Sequence, residues 1–181
     1  GHAFQGYLSG KDPIQEHADI TMETAEIHSM SMEFFAEKWM ELFFGDRADD
    51  YRSMHLEDAV AFIPYGCMVD EFQHIVYANP EMTPAERNAA WAKLEKEYRP
   101  HVDYTGYKRF EEGGFWQKQL HIYDMPFYYI DYVIAQTCAM EYKVMMDEDM
   151  EKAWESYLTL CKLSASYFFT NMIPQVGLVS P

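Results

Sequence analysis

Positive charge is the first thing this chain lacks: 14 lysines and arginines stand against 30 aspartates and glutamates, a formal net charge of −16. Nucleic acids and anionic membrane surfaces both require a cationic face, so neither is an expected partner. Cysteine is scarce as well. Cys67, Cys138 and Cys161 lie far apart with no C-x-x-C between them. An odd number without a close pair reads as free thiols in a reducing compartment, and a cytoplasmic location follows as the expectation. Long apolar runs are missing, so no membrane span is expected, and no secretory leader is visible. Repeats, low-complexity tracts and linker-like stretches are also missing. Residues 1–181 therefore read as one domain, and nothing alternates apolar and polar for long enough to build a sheet.

Apolar material is plentiful. Hydrophobic residues make up 49% of the chain and aromatics 17%, which excludes disorder and is enough to fill a core. The apolar residues recur at helical spacing. Helices are expected over about 2–9, closed by Gly10 and Pro13, and over about 18–44, where Ile20, Ile27, Met30, Phe34 and Trp39 mark one face and Gly45 ends the run. A third helix spans about 47–64 until Pro64-Tyr65-Gly66 interrupts it, and a fourth spans about 66–78 before Asn79-Pro80. Thr83-Pro84-Ala85-Glu86 has the form of a capping box with proline at the first helical position, and the helix it opens ends before Pro100. Residues 101–118 read as a loop or strap around Glu112-Gly113-Gly114, followed by helices over about 126–146, 148–162 and 165–173. The fold class is all-α.

Three groups of residues could carry chemistry. The first is His2 with the carboxylates of the second helix. In an H-E-x-x-H helix, two histidines four apart grip zinc and the intervening glutamate acts as general base. If His2 is the second of such a pair, the first histidine and the base precede Gly1. A third ligand must then come from another element, and Glu23, Glu26 and Glu33 compete for that place, with Glu26 and Glu33 two turns apart on one face. The second group is Glu71-Phe72-Gln73-His74. A di-iron bundle needs two such E-x-x-H pairs and two further glutamates, and only one pair is present. The third is His121 with Tyr128, Tyr129 and Tyr132. Tyrosine hydroxyls and an imidazole N–H can donate to a carbonyl oxygen as charge builds on it, and they can equally pack a bundle core with their polar ends at its rim.

Gly1-His2-Ala3-Phe4, the segment from Glu23 to Glu33, Val69-Asp70-Glu71-Phe72-Gln73-His74, the segment from Pro126 to Tyr132 and the closing Gly177-Leu178-Val179-Ser180-Pro181 stand in one order over essentially the whole chain. Together they resemble the oligoendopeptidase F branch of the thimet oligopeptidase-like zinc metallopeptidases. The resemblance implies the multi-helix, bundle-like C-terminal part of a neurolysin/thimet-like enzyme that hydrolyses short peptides, with zinc as cofactor and the upstream part of the same polypeptide as partner. The family's zinc helix reads H-E-x-G-H-A-F, which makes His2 a zinc ligand, and its following helix supplies the third ligand, which aligns with Glu26. Glu23, His28, Ser29 and Glu33 would then orient the ligands. His121, Tyr128, Tyr129 and Tyr132 fall where the family carries its catalytic donors, and His74 would contact substrate. One departure is that Leu163-Ser164-Ala165 replaces a glycine pair followed by serine, which makes that turn stiffer. Without the first histidine and the base, the chain alone should not hydrolyse peptides. The alternative is a non-catalytic helical interaction module that keeps peptidase-like residues as relics.

Overall fold

A computed structural model describes residues 1–163 and 166–181. Among them every regular element is helical: α1 (His2–Ser9), α2 (Met22–Ala36), α3 (Glu41–Phe44), α4 (Ala48–Ala78), α5 (Pro84–Tyr98), α6 (Lys108–Glu111), α7 (His121–Asp124), α8 (Tyr129–Glu148), α9 (Met150–Leu163) and α10 (Phe169–Met172), with short 3-10 turns between them. The chain is all-α, as expected. It divides into two compact units, Gly1–Leu56 with Ile134–Pro181 and Glu57–Val133. The turn expected at Ser164-Ala165, and the start of a helix at 165, lie outside the described residues.

In the first unit the core forms around Phe35, whose ring meets those of Tyr142, Trp154 and Tyr157 at 5.2–6.0 Å. The helix expected over 18–44 is three pieces. Asp19 is extended, and α2 starts only at Met22, after an extended Thr21 in the N-cap position. At its other end, Glu37–Trp39 tightens into a 3-10 turn before α3. Where an α-helix gives way to a tighter turn, a carbonyl loses its i+4 partner. Arg52 supplies the substitute, with Nε and Nη2 donating to the Glu37 carbonyl at 3.1 and 2.8 Å. Gly45 then leaves α3 at φ 57°, ψ −128°, a conformation closed to residues with a Cβ.

The break expected at Pro64 does not occur: α4 runs through it. Proline in a helix interior removes one hydrogen bond and clashes with the preceding turn, at a cost of about 3 kcal/mol. Four to eight residues on, Met68, Val69 and Phe72 are fully buried, each contributing about 1.5–3 kcal/mol. Burial wins. Those three side chains join Trp91, Leu94, Trp116 and Ile122 in the core of the second unit.

The start of α5 is the expected capping box. The Glu86 N–H donates to Thr83 Oγ1 and the Thr83 N–H to Glu86 Oε2. Residues 101–118 are less irregular than expected, since they hold α6 and a 3-10 turn over Gly114–Lys118. Between the two, Gly113 sits at φ +82°, where an added Cβ would lie 2.0 Å from the Asn88 carbonyl oxygen. The helix expected from 126 begins at Tyr129 because Phe127 takes φ +64°. That left-handed backbone is costly for an aromatic residue. Gln73 Oε1 accepts the Phe127 N–H at 2.8 Å, and the Phe127 ring lies against His74 and Tyr77, holding the conformation in place.

Candidate active site

The first unit brings His2 and Glu26 together. α1 packs on α2 and α9, and Phe4 stacks on Trp154 at 6.4 Å. At its start the approach to α2 is closer than any side chain would allow. A Cβ on Gly1 would fall 1.8 Å from the His28 carbonyl oxygen. This backbone-on-backbone contact sets His2 Nε2 3.6 Å from Glu26 Oε2. The Glu26 carboxylate is buried, whereas the His2 side chain is 56% exposed. Ser29, one turn on, donates to Glu26 Oε2 at 2.7 Å and to the Glu26 carbonyl at 3.0 Å, fixing the carboxylate's direction.

Two donors that share one zinc at about 2.0–2.2 Å each lie no more than about 4 Å apart. The donor types and the 3.6 Å spacing therefore suit a common metal ion. Among the described residues no third histidine, cysteine or carboxylate joins them in a metal-binding group.

The neighbouring candidates go elsewhere. Glu33, expected to orient the ligands, meets His55 Nε2 at 2.9 Å, and His55 Nδ1 lies 3.3 Å from Glu37. Glu23 is half-buried and makes no hydrogen bond or ion pair among the described residues. His28 is fully buried and lies toward α9, its Nδ1 3.3 Å from the Tyr157 hydroxyl and 3.6 Å from Cys161 Sγ. Burial foremost, then the charge of His2, holds its pKa down to about 3, so it is a neutral hydrogen-bonding strut.

The second unit gathers the other expected group. The His121 ring lies 6.0 Å from Tyr128, 5.1 Å from Tyr129 and 5.7 Å from Tyr132, and Tyr132 in turn meets Tyr128 and Tyr129 at 4.8 and 5.5 Å. Burial pushes the Tyr129 hydroxyl up to about 12, so it keeps its proton and can donate. Sequence reasoning missed two members. Gln119 Nε2 lies 2.8 Å from His121 Nδ1, and the Tyr65 hydroxyl donates to Gln119 Oε1 at 2.8 Å. Gln119 could have been noticed as a polar residue two positions from His121, but nothing local marks Tyr65. His74, expected to contact substrate, is mostly exposed and sits 3.4 Å from Asp70, one turn back on α4.

The described residues thus bring together a histidine–carboxylate pair in one unit and a histidine–tyrosine cluster in the other. Residues 1–177 match the profile of peptidase family M3, and the chain belongs to that family. Its structural likenesses place it in the oligoendopeptidase F branch. An X-ray structure described as an oligoendopeptidase F is 54% identical, with a TM-score of 0.97 over 100% of this chain and 32% of that one. PZ peptidase A with an inhibitor is 51% identical, TM-score 0.96, over 99% of this chain and 32% of its own. An oligoendopeptidase F from Bacillus anthracis str. Ames is 43% identical, TM-score 0.84, over 99% and 29%. The chain thus spans about a third of the length of these structures. No curated protein matches it. Among the described residues no helix is long and apolar enough to cross a membrane.

Proposed function

We propose that this chain is the C-terminal catalytic portion of a zinc-dependent oligopeptidase acting on short peptides in the cytoplasm. His2 and Glu26 are two of its zinc ligands, and the remaining histidine and the general base come from residues outside these 181. The observation that carries the reading is the 3.6 Å separation of His2 Nε2 and Glu26 Oε2, with Ser29 holding the carboxylate. Zinc bound there would supply Lewis acidity to the scissile carbonyl and to a water molecule.

The chain's own residues do the rest. Glu26 would balance the charge of a bound metal from its buried position, and the exposed His2 leaves one side of the pair open to solvent. Ser29 keeps the carboxylate from rotating away. His121 and the tyrosines offer neutral donors to the substrate carbonyl oxygen as negative charge develops on it, an interaction stronger in the transition state than in the ground state. His28, through Tyr157, and Glu33, through His55, hold the helix that carries Glu26. His74, on the solvent side beside Asp70, is a further candidate for substrate contact. Burial pushes the Cys138 thiol up to about 12 and the Cys161 thiol up to about 11, so both stay protonated and unreactive.

The test is Glu26→Gln in the full-length polypeptide, beside Glu16→Gln as control, a change at an exposed residue of the 3-10 turn Gln15–Ala18. Zinc content and kcat/KM collapse in the first and stay unchanged in the second, and the 181-residue stretch alone shows no peptidase activity. Full zinc occupancy and activity in Glu26→Gln would move the ligand role to another carboxylate.

A further inference from the structure

We propose that Gln119 is a positioning residue that holds His121 in the tautomer with its proton on Nε2, so that this nitrogen presents a donor rather than a lone pair. The inference rests on the reading that His121 donates to the substrate carbonyl oxygen, and it explains how the imidazole is made fit for that task.

Gln119 is buried and pinned at both ends of its backbone. Its N–H donates to the Trp116 carbonyl at 2.9 Å, and its own carbonyl accepts from the Ile122 N–H at 3.1 Å. Its side chain reaches two polar groups. Oε1 accepts from Tyr65, and Nε2 lies 2.8 Å from His121 Nδ1.

The amide has two possible orientations, and Tyr65 separates them. With Oε1 on Tyr65, the phenol hydroxyl has its acceptor and an N–H reaches His121 Nδ1. Turned over, the NH2 would face that hydroxyl and take this acceptor away from it. Buried donors are rarely left unpaired.

Tyr65 is well placed to enforce this choice. Its ring is fixed between Trp91 and Tyr129 at 6.4 and 5.9 Å, with the Arg99 guanidinium 5.1 Å from its centre. Burial raises its pKa, so the hydroxyl remains a donor. An amide N–H aimed at Nδ1 requires a lone pair there, and a neutral imidazole with a bare Nδ1 carries its one proton on Nε2. The chain of hydrogen bonds runs in one direction, from Tyr65 through Gln119 to His121.

The tautomer can be read directly by long-range 1H–15N correlation on histidine-labelled full-length protein, with the His121 signals assigned by their loss in His121→Ala. Above the imidazole's titration, Nε2 is expected to show the protonated-type shift and Nδ1 the unprotonated type. Gln119→Glu keeps the size but replaces both N–H donors with acceptors. It is expected to move the proton to Nδ1 and to lower kcat about 10²–10³-fold, the effect of one lost oxyanion donor, with little change in KM. Tyr65→Phe, which removes the group that orients the amide, is expected to leave the two tautomers mixed. An Nδ1–H tautomer in the wild type overturns the inference. So does a tautomer that ignores Gln119→Glu. If the proton moves as expected while His121→Ala keeps full kcat, the positioning stands and the oxyanion reading fails.

Discussion

Replacing Gly1 by alanine in the full-length polypeptide is the sharpest mutational test of how the His2–Glu26 pair is assembled. The new Cβ would sit 1.8 Å from the His28 carbonyl oxygen, 2.3 Å from its carbon and 2.9 Å from the Ser29 nitrogen, while real Cβ atoms do not come closer than 3.0 Å. All three neighbours are backbone atoms of α2, which cannot swing aside as a side-chain tip can. The start of α1 must therefore retreat by more than about 1 Å. Metal–ligand distances tolerate only about ±0.2 Å, so a shift of that size takes His2 out of reach of a metal held by Glu26. Altering groups that merely support a ligand costs about 10–100-fold in metal affinity, and displacing the ligand itself should cost at least the upper end of that range. Zinc affinity by chelator competition and kcat/KM on a quenched peptide should fall together. Helix propensity alone, about 1 kcal/mol in favour of alanine over glycine in a helix interior, predicts a slightly more stable protein with unaltered zinc. Zinc affinity within a few-fold of wild type would refute the close-approach argument.

Three further outcomes follow from the geometry. Among Tyr128→Phe, Tyr129→Phe, Tyr132→Phe and His121→Ala in the full-length enzyme, His121→Ala and at least one tyrosine variant should lose about 10²–10³ in kcat, while a purely structural tyrosine would lose only about 0.5–1.5 kcal/mol of stability. Gly66→Ala should destabilise, because its Cβ would meet Val133 Cγ2 at 2.2 Å and a valine in a helix has little rotamer freedom. Overpacking costs about 1–3 kcal/mol, and urea unfolding of Gly66→Ala/Val133→Ala should recover about 1 kcal/mol or more relative to the summed single variants. The hydrogen bond to Glu33, opposed by burial and joined by Glu37, raises the pKa of His55 above its usual 6.5. A raised folded-state pKa stabilises fully below the ordinary value and is lost as pH rises through the folded one. The gap in Tm between wild type and His55→Gln should therefore narrow as pH rises from the ordinary 6.5 through the raised folded-state value, above a pH-independent loss of ring packing; a constant gap would remove the ion pair from the account.

What could be read from the sequence was local. The capping box at Thr83–Glu86, the end of α4 before Asn79-Pro80 and the uniformly helical character all depend on residues within a turn or two of each other. The misread boundaries depend on distant partners. Pro64 stays helical because Met68, Val69 and Phe72 are buried against α5 and the Gly114–Lys118 turn, and α2 ends early where Arg52, fifteen residues on, captures a carbonyl. The start of α8 is set by a hydrogen bond from Phe127 to Gln73, 54 positions away. The same division runs through the site. His2, Glu26, His121 and the tyrosines could be named from motif and spacing. The partnership of Glu33 with His55 and the Tyr65–Gln119–His121 chain could not, because neither is marked by any local pattern.

The central claim is that His2 and Glu26 bind one zinc ion. Anomalous diffraction at the zinc absorption edge from crystals of the full-length polypeptide tests it most directly. The account predicts a single strong peak with His2 Nε2 and a Glu26 carboxylate oxygen both about 2.0–2.2 Å away. A zinc peak that leaves Glu26 or His2 uncoordinated would contradict it.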